Sequence, residues 1–187
     1  MKRIVLLLVI LVLLVGATMP ACSDATVTFP DWNLESAIRK TIDKRKGPIF
    51  VSDLKSLTIL EVQEKGISDL AGLEHLTNLR WLVLVENDIS DISPLAGLIK
   101  LEMLALVNNK ISDLSPLIDL TNLQELFLTN NNISDIYPLV TNRGLSTGDT
   151  VNLWNNPLST TSVNVYIPQL EERGINVEQT APPAESN

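Results

Sequence analysis

Residues 101–122 read LEMLALVNNKISDLSPLIDLTN, and the frame of this stretch returns every 22 residues. Leu79-x-x-Leu82-x-Leu84-x-x-Asn87 precedes it, and Leu123-x-x-Leu126-x-Leu128-x-x-Asn131 follows it. A second segment keeps the same step: Ile67-Ser-Asp-Leu70, Ile89-Ser-Asp-Ile92, Ile111-Ser-Asp-Leu114 and Ile133-Ser-Asp-Ile136. Such a period marks a stack of small units, none able to bury its apolar face alone. The frame loosens at both ends. Leu57-x-x-Leu60-x-Val62 carries Lys65 where Asn is due. Val151-x-Leu153-x-x-Asn156 arrives 25 residues after its predecessor, which places three inserted residues near Thr141 to Asp149.

The spacing has a mechanical meaning. Leu82 and Leu84 alternate with Val83, as in a strand with one buried face. Equivalent strands then stack as a parallel sheet, and each leucine fills a layer shared with its neighbours. A buried leucine contributes about 1.5–3 kcal/mol, enough in number to offset chain entropy. Asn87, Asn109, Asn131 and Asn156 fall where each strand leaves the sheet, so their amides suit the backbone groups that turn leaves unpaired. Pro94, Pro116 and Pro138 recur at one site, which suits the first residues of a short 3₁₀ or helical turn on the outer side.

Composition agrees. Of 187 residues, 45% are hydrophobic and 32 are leucine, but only 4% are aromatic. That supports one domain built from many similar layers. Fourteen basic residues against 22 acidic ones leave a net charge of −8, which argues against nucleic acid and against electrostatic binding to anionic lipid. One Cys and one His exclude an internal disulfide framework and two-histidine metal motifs, and no cofactor is expected.

The first residues read as an export signal. Lys2 and Arg3 precede the apolar run Ile4 to Val15, whose 12 residues are too few to span a bilayer. Met19-Pro20-Ala21-Cys22 resembles the lipobox of bacterial lipoproteins, in which cleavage before the Cys frees a thiol for a diacylglyceryl group. Cys22 is therefore the expected lipidation site, and the protein is expected outside the cytoplasm on a membrane or envelope. An ordinary secretory signal cut after Ala17 or Ala21 is the alternative. Cleavage before Cys22 leaves 12 basic and 22 acidic residues, a net −10.

Both ends of the stack read as caps. Asp31 suits the N-cap of a helix to about Lys44, with Leu34, Ile38 and Ile42 on one face. Ser159 or Ser162 starts a second helix that carries Tyr166, Ile167 and Leu170 and stops at Gly174, with Ile175–Val177 as a last strand. The expected organisation is a leader over 1–21, a linker over 22–28, a helical cap over 29–52, repeats over 53–158, a second cap over 159–177 and a disordered tail over 178–187.

The Leu/Asn frame and the Ile-Ser-Asp-Ile-Ser-Pro-Leu segments resemble the SDS22-like leucine-rich repeats of bacterial internalins. Phe29-Pro-Asp-Trp-Asn-Leu-Glu35 looks like the opening of the helical cap in that group. The resemblance covers about residues 27–177 and departs at Lys65, at Gly72 in place of the repeat proline and at the long last repeat. It implies an α/β solenoid, a horseshoe with a concave parallel sheet, convex 3₁₀ or helical turns and helical caps. It also implies a binding role. It implies neither a host receptor nor virulence, and the immunoglobulin-like domain and cell-wall sorting signal of many internalins are not matched.

In such a fold the residues between strand leucines face the concave side. They form four columns: Ile59, Trp81, Met103, Glu125 and Thr150; Glu61, Val83, Ala105, Phe127 and Asn152; Gln63, Val85, Val107, Thr129 and Trp154; and Glu64, Glu86, Asn108, Asn130 and Asn155. Trp81, Val83, Val85, Met103, Val107 and Phe127 are contiguous there, about 4.8 Å apart from strand to strand. A contiguous apolar patch rimmed by acids such as Glu125 marks an interaction site, and Trp81 and Phe127, with Trp154, are the expected anchors. The expected partner is a protein; the alternatives are a cell-wall glycan stacked on the same aromatics, or a spacer without a ligand.

Other constellations read as structural. Gly144-Leu-Ser146-Thr-Gly148 matches a nucleophile elbow but lacks the strand before it, the helix after it and a downstream His. Asp69, Asp91, Asp113 and Asp135 supply one carboxylate per layer, which suits turn capping better than calcium. Asp31-x-Asn33-x-Glu35 starts like an EF-hand loop, but Ser36 stands at the required Gly. His75 falls in an exposed turn. No enzymatic activity is expected.

Overall fold

The computed structural model describes residues 24–179. The expected leader, Cys22 and the chain after Gln179 lie outside the described residues. Each repeat contributes one three-residue strand: β3 (Ile59–Glu61), β4 (Trp81–Val83), β5 (Met103–Ala105), β6 (Glu125–Phe127), β7 (Thr150–Asn152) and β8 (Asn176–Glu178). They form one parallel sheet in sequence order. Leu60, Leu82, Leu104, Leu126 and Val151 pair across it in register, and every one is at most 1% exposed. Leu73, Leu95, Leu117 and Leu139 form a matching column beneath the outer turns. The turns are 3₁₀ over Leu73–His75, Ser93–Leu95 and Ser115–Leu117, and helical over Tyr137–Thr141 (α3). The three prolines sit in the first positions of the last three turns, where no N–H is needed. The core runs without a break from Val27 to Ile175.

The asparagine column ties one repeat to the one before. Asn109 Oδ1 accepts from Ile89 N at 3.1 Å, and its Nδ2 donates to Leu84 O at 2.8 Å and Leu106 O at 3.1 Å. Asn131 repeats this with Ile111, Leu106 and Leu128. The column therefore serves the preceding repeat. That explains Lys65: no repeat precedes the first strand, and Asn87 Oδ1 accepts from both Lys65 N and Ile67 N. On the outer side, Asp69, Asp91, Asp113 and Asp135 each accept from the backbone N–H two residues on, at 2.8–2.9 Å. Those carboxylates shape their own turns.

The first cap is larger than its helix. Thr26–Val27 (β1) pairs antiparallel with Ile49–Phe50 (β2), and a short helix, Val51–Leu54 (α2), leads into the first repeat. Asp24 accepts from Ser52 N at 3.2 Å. The stretch read as a linker over 22–28 is thus folded from residue 24 onward: alternation puts Val27 and Phe29 into the core. Helix α1 spans Trp32–Thr41, shorter than expected, because Asp43 takes a left-handed conformation just beyond it. Asp31 caps α1 through Oδ1, which accepts from Asn33 N and Leu34 N, while its Oδ2 accepts from Ser68 N at 2.8 Å. One carboxylate so joins cap and stack. Gly72 replaces the repeat proline because this cap lies on it: a Cβ there would fall 2.5 Å from the Phe29 ring.

The second end differs in detail from the sequence reading. Asn142 stands 22 residues after Leu120, in the leucine column, and is fully buried. Its Nδ2 donates to Leu117 O and Leu120 O, and its Oδ1 accepts from Gly144 N and Leu145 N. Leu145 still fills the layer of Leu123, so the extra residues lie between Leu145 and Thr150. Gly144 passes so near Thr121 that a Cβ would meet its carbonyl oxygen at 2.0 Å. The closing helix begins with a π turn, Ser162–Tyr166, and continues as α4, Ile167–Glu172. Arg173 donates to the carbonyls of Val140, Asn142 and Leu145, which the last repeat leaves open. The final strand begins one residue later than expected and takes in Glu178 from the expected tail; its pairing with Asn152 holds it in the sheet.

Candidate functional site

The sheet register builds the concave face directly. Ile59, Trp81, Met103, Glu125 and Thr150 are neighbours across five strands, as are Glu61, Val83, Ala105, Phe127 and Asn152. Beyond the strands the same order persists: Glu86 N donates to Val107 O, Asn108 N to Thr129 O and Asn130 N to Trp154 O. The late insertion therefore leaves Trp154 in register, because the extra residues are absorbed before β7 begins.

The face has two halves. On β4 to β6, Trp81 is 46% exposed, while Val83, Val85, Met103, Val107 and Phe127 are half-buried. Ala105 is buried between Val83 and Phe127, so the surface dips at its centre. At the strand entrances, Trp81, Met103, Glu102, Gln124 and Glu125 border a shallow recess of about 200 Å³. Arg80 closes its flank with two 2.7 Å hydrogen bonds to Glu102. The sequence reading did not include Glu102 and Gln124, because its columns began one residue after the position they occupy. The spacing held the signal: Arg80, Glu102 and Gln124 also recur at 22 residues.

The second half is polar. Thr129 Oγ1 donates to Asn152 Oδ1, and Asn152 Nδ2 donates to Glu178 Oε2 at 2.6 Å. Trp154 stands 43% exposed beside this network. Along one border the fourth column forms a ridge. Glu64, Glu86, Asn108, Asn130 and Asn155 all take φ between 54° and 56°. Asparagine tolerates that region better than most residues. Asn155 Nδ2 donates to Asn130 Oδ1, Asn130 Nδ2 to Asn108 Oδ1, and Asn108 Nδ2 lies 3.5 Å from Glu86 Oε1. The ridge is a chain of amides held by the turn that ends each strand.

The remaining motifs sit apart from this face. Ser146 and Asp149 close the inserted loop, with Ser146 N donating to Asp149 Oδ2 at 2.7 Å. His75 lies in an outer turn three repeats away, 3.7 Å from Glu74. Glu35 pairs with Arg39 at 2.8 Å, and Asp31 is spent on its cap.

The family model described as Leucine Rich repeats (2 copies) matches residues 77–119 and 99–141. The matched segments hold β4 to β6, their turns and their asparagines. The fold is a leucine-rich repeat solenoid. Among solved structures, an internalin of Listeria monocytogenes is similar over 82% of this chain, with 30% identity and a TM-score of 0.67. The chain spans 52% of that protein, about half its length. A leucine-rich repeat protein of Leptospira interrogans is similar over 67% of this chain and 32% of its own, with 28% identity and a TM-score of 0.59. No curated protein matches significantly. Among the described residues, no helix is long and apolar enough to cross a membrane.

Proposed function

We propose that the chain is an exported leucine-rich repeat module, anchored by lipid at Cys22, that binds a protein through its concave face. The observation that carries the reading is the contiguous apolar strip of Trp81, Val83, Val85, Met103, Val107 and Phe127, partly open to solvent across three strands and most so at Trp81. An exposed strip of that kind, rimmed by Glu61, Glu86, Glu102 and Glu125, suits a partner with an apolar centre and basic margins. Trp81 and Phe127 are its anchors, with Trp154 at the polar end. Similarity to an internalin supports a binding role. For the anchor, the support is Cys22 seven residues after the end of a short apolar run and two residues before the folded Asp24.

The test immobilises residues 24–187 beside a Trp81→Asp/Phe127→Asp form and exposes both to envelope and culture extracts. Mass spectrometry identifies captured proteins, and a glycan array runs in parallel. Capture by the native form alone, with equal circular dichroism, supports the concave face. Equal capture, or none, overturns it. The amide ridge beside Trp154 favours a second reading, a glycan stacked on that ring; loss of a glycan in the double mutant or in Trp154→Ala would select it. The anchor is tested separately, by mass shift of the mature N-terminus and its loss in Cys22→Ser.

A further inference from the structure

The charge of this chain is unevenly placed. Residues 39–46 hold five of its fourteen basic residues and one acid, Asp43, whereas Gly47 to Gln179 hold seven basic and seventeen acidic residues. Two of the five cations are spent internally. Arg39 pairs with Glu35 and donates to Lys44 O and Gly47 O; Lys44 pairs with Asp53 at 2.5 Å and lies over the Phe50 ring. Among the described residues Lys40, Arg45 and Lys46 have no such partner, and all three are exposed. On α1, Leu34 and Ile38 face the core, fully buried, so Trp32, Ser36 and Lys40 follow one line up the opposite side. Trp32 is 67% exposed, the most exposed large apolar side chain of the described residues. Trp32, Lys40 and Arg45 border the same depression, together with Asp43 and the Glu35–Arg39 pair, and Lys46 follows Arg45 in the chain outside it.

We infer that this outer face of the cap docks on an anionic lipid surface. A Trp ring beside unpaired cations is what a headgroup layer accepts: the ring sits at the polar–apolar boundary and the cations meet the phosphates. Each cation strengthens binding to an anionic surface about five-fold. With Asp43 opposing, three cations leave two net charges, roughly 25-fold, before the Trp adds its share. The solenoid, with its excess of ten acids, is repelled by the same surface. Attraction at one end and repelled repeats at the other would hold the stack upright, with its concave face open to solvent. The inference does not rest on the concave reading, and it requires no lipid on Cys22.

Residues 24–187 contain both caps and every core residue among the described residues, and a cooperative melting transition checks that they fold alone. The test is their co-sedimentation with vesicles of phosphatidylcholine alone, or of an equal mixture with phosphatidylglycerol. Binding to the anionic vesicles only, weakened by salt, is expected. Lys40→Gln/Arg45→Gln/Lys46→Gln should lower the partition coefficient about a hundredfold, and Trp32→Ser should lower it further. Ile99→Ser, an exposed and uncharged change in a distant repeat, should bind as the native form does, which separates this face from the solenoid. Equal melting curves establish that the variants fold. Binding to both vesicle types alike, no binding, or triple-variant binding within twofold of the native form would overturn the proposal. So would binding to a soluble polyanion such as polyphosphate without binding to vesicles, which would make that polymer the ligand.

Discussion

Asn109→Leu tests whether the asparagine column holds the repeats together. Leucine has the same branched skeleton and is somewhat larger, so no cavity forms. What is lost is hydrogen bonding. Ile89 N and Leu84 O, one repeat back, have Asn109 as their partner, whereas Leu106 O keeps a second donor in Asn131. Two buried backbone groups are left unpaired at about 1–3 kcal/mol each, so the loss should be about 2–6 kcal/mol. Asn156→Leu provides the comparison. It strands Ile133 N and Leu153 O, while Leu128 O retains Asn131, but both stranded groups are only partly buried, so water reaches them. Its loss should be about 1–2 kcal/mol. Urea unfolding followed by circular dichroism measures both. A loss below about 1 kcal/mol for Asn109→Leu, or equal losses at the two sites, would refute the reasoning that the column satisfies buried backbone.

Three further outcomes follow from the geometry. Leu104 is fully buried between Leu82 and Leu126, so Leu104→Ala should cost about 2–5 kcal/mol in urea unfolding; a loss under about 1 kcal/mol would mean the layers repack freely. Gly144→Ala drives a methyl into the Thr121 backbone and should cost about 2–3 kcal/mol, whereas Gly97→Ala meets nothing within 4 Å and should change stability by less than about 0.5 kcal/mol; similar melting shifts would contradict the close approach. Burial pushes the Asp31 carboxyl up, but N–H donors from Ser68, Leu34, Asp69 and Asn33 outweigh it and hold the group below its usual 3.8. The folded state then resists protonation more than the unfolded one, so this stability is present above about pH 4 and is lost as pH falls through the lowered value. Asp31→Asn should flatten the loss of stability in that range without abolishing it, since Asp53 and Asp113 are also lowered, and an unchanged slope would refute the assignment.

Much of the fold was legible because it repeats. A 22-residue period repeated through the chain states the strand, the turn and the buried columns several times over, and each copy corrects the others. The concave register was legible for the same reason, and the turn-capping aspartates and the asparagine column followed from local chemistry. The departures arose where the period breaks. Asp24 to Thr28 looked like linker because a two-residue strand leaves no periodic trace, and its partner, Ile49–Phe50, lies beyond an intervening helix. The inserted residues could be counted but not placed, since only packing shows that Leu145 keeps its layer. Glu102 and Gln124 stood in the repeat, but their closeness to Trp81 depends on neighbouring strands.

The sequence alone therefore determined the solenoid, its parallel sheet and the residues that face its concave side, because side-chain alternation within a fixed period leaves no other way to bury the leucines. Only the tertiary structure decided where the stack begins and ends. Asp31 bridging two elements, Gly72 beneath Phe29, Arg173 filling open carbonyls and the unpaired cations beside Trp32 all depend on contacts between segments with no common period. Such contacts are set by how surfaces meet, which a one-dimensional pattern does not record.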